Sequence, residues 1–229
     1  MNFAKYFLKK SNPFYKPNLL KFMFAGALLG LQLNSFAAPK TLLIIGDSLS
    51  AEYGIPRGTG WVNLLKAKLS SEAATTPAFK TIVVQNASIS GETTAGGAAR
   101  IQSLLAQYKP KYVLIELGGN DALRGLAVAQ TQKNLSQMIQ ATNTAKAQVM
   151  VVRMTIPPNY GEAYATDFSK MYQALSKPPL NAQLAPFILQ DFADKPEFFQ
   201  ADKIHPTAAA QSMMLQTILP SVKNLIRNK

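Results

Sequence analysis

Beyond position 38 the chain alternates short, unbroken apolar runs with stretches whose apolar residues recur every three or four positions. Residues 41–45 (TLLII) lie between Pro39 and Gly46, and a continuous apolar run of that length is what a strand buried on both faces requires. Residues 61–69 carry apolar side chains at 61, 62, 64, 65 and 69 with Lys66 and Lys68 between them, the spacing of a helix with one buried face. The same reading predicts strands at 80–84, 112–117 and 149–154 and a short fifth strand at 187–189. It predicts helices at 95–108, within 127–147, at 165–176 and at 207–226, the last with Pro206 suited to a first helical position.

Strands that alternate with helices throughout predict parallel pairing through right-handed crossovers, with helices on both faces of one sheet. The expected fold class is therefore α/β: a three-layer α/β/α sandwich around a mainly parallel, flavodoxin-like sheet of about five strands. No repeat, linker or low-complexity tract divides residues 38–229, so one domain is expected there. In such sheets ligands sit beyond the carboxyl ends of the strands, which directs attention to the loops that follow them.

The first 37 residues have a different character. Five lysines (5, 9, 10, 16 and 21) and no acidic residue lead into the apolar stretch 22–33, and Ser35 and Ala37 supply small residues before a cut. This is the layout of a signal peptide, with cleavage expected after Ala37 and a periplasmic or secreted product. Twelve apolar residues interrupted by Gln32 fall short of the roughly 20 that a spanning helix needs, which argues against a retained anchor. The whole chain has 24 basic and 12 acidic residues, a net charge of +12, and setting the five leader lysines aside leaves +7. That remainder suits an anionic lipid surface or acidic acyl substrates, and scattered surface lysines account for it equally well. Beyond the leader no run of Arg and Lys interleaved with aromatics appears, so nucleic acid is not an expected partner. The absence of cysteine excludes a thiol nucleophile and disulfides alike.

Chemistry-bearing residues gather where the strands are expected to end. The first strand runs into Gly46, Asp47, Ser48, Leu49 and Ser50, which reads either as a nucleophile at a sharp turn or as a capped strand-to-helix turn. The second runs into Asn86–Thr93 with Gly91, where a backbone amide ahead of a helix can bind negative charge. The third ends in Gly118, Gly119, Asn120 and Asp121, where two glycines admit close approach and the Asn amide offers a donor. His205 is the only histidine, so any activation of a serine by imidazole must use it. Asp202, three residues earlier, can reach that ring across one turn and fix its tautomer. One histidine, no cysteine and twelve carboxylates form no recognisable metal-ligand cluster, so no metal is expected.

With these blocks side by side, the chain resembles the SGNH hydrolases, also called GDSL esterases and lipases. The strings GDSLSAEYG, NASISGET, ELGGNDALRG, IPPNYG and DKIHP are most similar to the bacterial periplasmic branch of acyl-CoA thioesterases, arylesterases and lysophospholipases. The resemblance implies a serine hydrolase acting on ester and thioester bonds of small acyl substrates, without a cofactor. It implies Ser48, Asp202 and His205 as the catalytic triad, and an oxyanion hole built from the Ser48 and Gly91 amides and the Asn120 side chain. It further implies that Ala122, Leu123, Arg124, Gly125 and Leu126 line an acyl groove and move on binding, with Ile156, Pro157, Pro158, Asn159 and Tyr160 as its other wall. A monomer is expected. An acetyl esterase of envelope glycans and a catalytically silent binding protein are the competing readings of the same blocks.

Overall fold

The computed structural model describes residues 38–156 and 160–227, so the expected signal peptide and residues 157–159 lie outside the described residues. Five strands form one sheet: β1 (Lys40–Gly46), β2 (Ile82–Asn86), β3 (Tyr112–Glu116), β4 (Gln148–Val152) and β5 (Gln183–Ala185). Their order across the sheet is β2-β1-β3-β4-β5, and every pair is parallel. This is the flavodoxin-like order. The connection out of β1 runs one way to β2, and the remaining strands are laid down the other way.

The described residues form six α-helices: α1 (Trp61–Glu72), α2 (Thr94–Tyr108), α3 (Gly119–Leu123), α4 (Val128–Thr144), α5 (Glu162–Leu175) and α6 (Gln211–Arg227). Successive strand residues point to opposite faces, which is why unbroken apolar runs feed two cores at once. Leu43, Ile45, Val113, Ile115, Val149 and Val151 pack under α2, α4 and α5. Leu42, Ile44, Tyr112, Leu114, Met150 and Val152 pack under α1 and α6. Trp61, the one tryptophan, is fully buried in the second core and its amide donates to Gln211 Oε1 at 3.0 Å, tying α1 to α6.

Three expected elements fall elsewhere. The second strand runs over Ile82–Asn86 rather than 80–84, because a 3₁₀ turn at Pro77–Phe79 and the turn after it consume residues 80 and 81. The strand continues through Gln85 and Asn86, whose polarity masked its end. The fifth strand is Gln183–Ala185 and not 187–189: Pro186 lacks the N–H that would extend the ladder. Ile188 and Leu189 are buried nonetheless, in a turn packed on the α6 side. The closing helix begins at Gln211 after a 3₁₀ turn at Ala208–Ala210. Pro206 therefore stands outside it, bridged antiparallel to Phe199, a site that its fixed φ also suits.

Leu114 is fully buried at the centre of β3. Leu114→Ala should destabilise the fold by about 2–5 kcal/mol through lost burial and the cavity left behind, read as a shift of the urea unfolding midpoint.

Candidate active site

The turn after β1 delivers Ser48. Ser50 and Ala51 amides donate back to the Asp47 carbonyl at 3.2 and 2.9 Å, curling residues 47–51 directly off the strand end. Asp47 points into the protein, where Oδ1 accepts the Leu49 amide at 3.0 Å and Oδ2 accepts Asn120 Nδ2 at 3.0 Å. Ser48 itself remains half-buried, with its hydroxyl toward the histidine.

His205 Nε2 lies 2.9 Å from Ser48 Oγ, although 157 positions separate the two residues along the chain. Its Nδ1 lies 2.7 Å from Asp202 Oδ2. An ionised carboxylate can only accept, so Nδ1 carries the hydrogen and Nε2 is left as an acceptor for the serine proton. Asp202 is shaped for this by its own backbone: Oδ1 accepts the Ile204 and His205 amides at 2.9 and 3.0 Å, with Lys203, between Asp202 and Ile204, in a left-handed conformation. The His205 amide, the His205 ring and the Ile204 amide together pull the Asp202 carboxyl down to about 2, so it is ionised at any working pH.

Two further residues hold this arm in place, and neither was marked by the sequence. Gln200 donates through Nε2 to the Tyr53 and Pro206 carbonyls at 2.9 and 3.0 Å, clasping the loop after β1 to the histidine turn. The Tyr53 ring lies against the imidazole with centroids 4.3 Å apart. A glutamine clasp has no sequence signature, because its partners are main-chain carbonyls 147 and 6 positions away.

Gly91 takes φ +78°, a left-handed turn that glycine adopts without strain. It precedes α2 by three residues, and among the described residues neither its amide nor that of Ser48 donates a hydrogen bond. Both hydrogens of Asn120 Nδ2 are engaged, one by Asp47 Oδ2 and the other by the Glu92 carbonyl at 3.1 Å. The Glu92 side chain is gripped by Arg100, which also donates to the Ala87 carbonyl at 2.6 Å, so the Gly91 turn is braced from behind. Asp121, buried, accepts the Thr94 amide at 2.9 Å and locks the start of α2 to the loop after β3.

The expected groove residues divide. Leu123, Arg124, Gly125 and Leu126 are exposed, with the Arg124 guanidinium donating to the Gly91 carbonyl at 3.0 Å. Tyr160 and Tyr164 donate to the Leu123 and Leu126 carbonyls at 3.3 and 2.7 Å, joining the two walls; Tyr164 had gone unmarked. Ala122 and Ile156 are buried and pack in the core cluster on the α4 side. Pro157, Pro158 and Asn159 lie outside the described residues. Among the described residues no group of three His, Cys, Asp or Glu side chains converges as metal ligands.

A parallel α/β/α sandwich with a serine, an imidazole and a carboxylate in a hydrogen-bonded row past its strand ends defines a serine hydrolase. Residues 44–213 match the model of the GDSL-like lipase/acylhydrolase family, and the chain belongs to that family. It is 44% identical to the esterase TesA of Pseudomonas aeruginosa over 89% of this chain and 98% of that protein. It is 40% identical to thioesterase 1/protease 1/lysophospholipase L1 of Escherichia coli K12 over 84% of this chain and 88% of that protein. The crystal structure of the psychrotrophic esterase EstA from Pseudoalteromonas sp., inhibited by monoethylphosphonate, superposes with a TM-score of 0.76 at 40% identity, covering 82% of this chain and all of that one.

Beneath the serine lies a pair of buried carboxyls. Burial pushes Asp47 up to about 6, while burial and then the Asp47 charge hold Glu116 well above the usual glutamate range. A raised folded-state value means that the native state binds the proton more tightly. The stabilisation is thus fully present below the unfolded values near 4 and is lost as pH rises through 6 and beyond. Asp202 acts in the opposite sense and in a lower window, its contribution fading as pH falls from about 4 toward 2. In Glu116→Gln the decline of the thermal midpoint between pH 5 and pH 8 should be shallower than in the parent chain; equal slopes would contradict this account.

Proposed function

We propose that the protein hydrolyses carboxylic esters and thioesters of small acyl substrates through an acyl-enzyme on Ser48. The observation that carries this reading is the continuous row Ser48 Oγ, His205 Nε2, His205 Nδ1, Asp202 Oδ2, with steps of 2.9 and 2.7 Å. His205 takes the serine proton as Oγ attacks the acyl carbon, and the charge that appears on the imidazole is balanced by Asp202. The oxyanion is received by the Ser48 and Gly91 amides and by Asn120, one of whose N–H groups leaves the Glu92 carbonyl to do so. The protonated imidazole then releases the alcohol or thiol, and the same ring activates the water that frees the acid.

Acyl substrates are favoured by the surface around this row. Six large apolar side chains among the described residues are exposed, and five of them, Tyr53, Ile89, Leu123, Leu126 and Ile204, sit on the strand-end and histidine segments that carry Ser48, Gly91, Asn120 and His205. Such a rim accepts an acyl chain, and together with the +7 charge of residues 38–229 it suits substrate presented at an anionic lipid surface. The relatives named esterase, thioesterase, lysophospholipase and arylesterase support the same substrate class. The protein acts as a monomer after export, with the leader removed near Ala37; intact mass of the purified product reports the cut.

Ser48→Ala should abolish turnover of a nitrophenyl ester while the chain stays folded, and a fluorophosphonate should modify Ser48 in the parent protein. Retained turnover, or labelling at another residue, would remove Ser48 from the mechanism. Asn120→Ala should cost about 3 kcal/mol of transition-state stabilisation, a hundredfold or more in kcat, by the usual weight of one oxyanion donor. A loss under about threefold would take Asn120 out of the hole. Across an ester panel, rates rising from acetate toward octanoate are expected; activity confined to acetate would point to glycan substrates instead.

A further inference from the structure

Glu116 ends β3 directly beneath the Ser48 turn and has no role in the steps above. It is completely buried. Its Oε2 accepts the Ser50 hydroxyl at 2.7 Å and the Asp47 amide at 3.3 Å, so one carboxyl oxygen holds the residue before Ser48 and the residue two beyond it. The strand register makes this possible, because Gly46 lies directly opposite Glu116 in the β1–β3 pairing. A Cβ at position 46 would fall 2.6 Å from Glu116 Oε2 and 2.8 Å from Ser50 Oγ, and only glycine leaves that space open. On the other flank Asn86, at the end of β2, donates to the Ser50 carbonyl at 2.7 Å. The turn is therefore clamped from both neighbouring strands.

We propose that Glu116 is a positioning residue for the nucleophile: a buried acceptor on β3 that fixes the turn bearing Ser48 by holding Asp47 and Ser50 on either side of it. The proposal rests on Ser48 being the nucleophile. A serine hydroxyl must meet the acyl carbon along a narrow approach, and a displacement of about 1 Å can cost on the order of a hundredfold. Neither Asp47 nor Ser50 is anchored to the rest of β3 by any other hydrogen bond among the described residues, since the Asp47 side chain reaches past the strand to Asn120. Removing the Glu116 acceptor frees the turn on the side that faces β3.

The clamp works as a neutral group. Both oxygens of Asp47 accept hydrogen bonds, which suits the ionised form. Glu116 Oε1 has no hydrogen-bond partner among the described residues, and a second buried charge with an unsatisfied oxygen beside Asp47 would be far more costly than a neutral acid. An amide has the same shape and keeps the acceptor, so glutamine should replace Glu116 where a residue without an acceptor does not.

The test compares Glu116→Gln, Glu116→Met and Ser50→Ala with the parent chain, each checked for folding by circular dichroism and thermal melting. With a soluble nitrophenyl ester, Glu116→Gln should keep kcat within about threefold, whereas Glu116→Met should lower it by about ten- to a hundredfold with KM within about twofold. Ser50→Ala, which removes only the hydroxyl arm, should lower kcat by about fivefold. The rate of Ser48 inactivation by a fluorophosphonate should fall in parallel with kcat. Three results overturn the proposal: a Glu116→Gln chain that fails to fold or loses as much kcat as Glu116→Met; a folded Glu116→Met chain within threefold of the parent; and a folded Ser50→Ala chain with kcat unchanged. If Glu116→Met does not fold, the Gln and Ser50→Ala arms decide. Loss of the Ser48 reading shows separately, as turnover in Ser48→Ala or labelling of the parent chain at another residue.

Discussion

The pairing of β1 with β3 is the constraint on which the rest of the site depends. Two parallel strands, hydrogen-bonded from Leu42 with Tyr112 to Gly46 with Glu116, end level with each other. Because β2 lies on the other side of β1, the loops after β1 and β3 diverge at this point and leave a crevice between them. The 3.0 Å bond from Asn120 to Asp47 follows from that register, as does the contact of Glu116 with the residues around Ser48. Sliding the ladder by one residue would exchange the side chains that β1 sends to the two cores and would take Gly46 out of line with Glu116, so the packing that fits each side chain to its core also holds this alignment.

The histidine arm is organised differently. Asp202 and His205 meet through a local turn whose hydrogen bonds lie within three residues, so the pair is preassembled wherever that turn forms. What must be built over distance is its meeting with Ser48. That depends on α6 packing against α1 and the sheet, and on Gln200 joining the loop after β1 to the histidine turn. The row from Ser48 to Asp202 therefore combines one rigid alignment, set by a buried ladder, with one docked segment held by main-chain carbonyls and an aromatic contact.

Polar groups are concentrated where the sheet meets this crevice, and most of them are paired. Glu92 with Arg100, Asp121 with Thr94 and Asp47 with Asn120 brace the turns around Ser48 and Gly91. Their burial opposes stability, most of all for the carboxyls beneath Ser48, and the two apolar cores offset it. Rigid turns thus stand beside exposed apolar side chains, which places fixed polar groups next to apolar surface.

Much of this was legible in the chain itself. Unbroken apolar runs announced β1, β3 and β4, because a strand covered on both faces needs no polar alternation. Gly46 to Ser50, Asn120 and the pair Asp202–His205 stood out because their chemistry is local and their neighbours are small or turn-forming. The polar end of β2, the three-residue β5 and the start of α6 were misplaced, since those boundaries are set by partner strands and by Phe199, which periodicity does not record. That Ala122 and Ile156 are buried while Leu123 to Leu126 are exposed was not legible, because position in a loop does not say which way a side chain faces. Gln200, Tyr53, Tyr164 and the clamp of Glu116 could be found only in three dimensions. Their partners are hydroxyls, rings and backbone groups brought close by packing, and a linear pattern of polar and apolar residues carries no information about such distances.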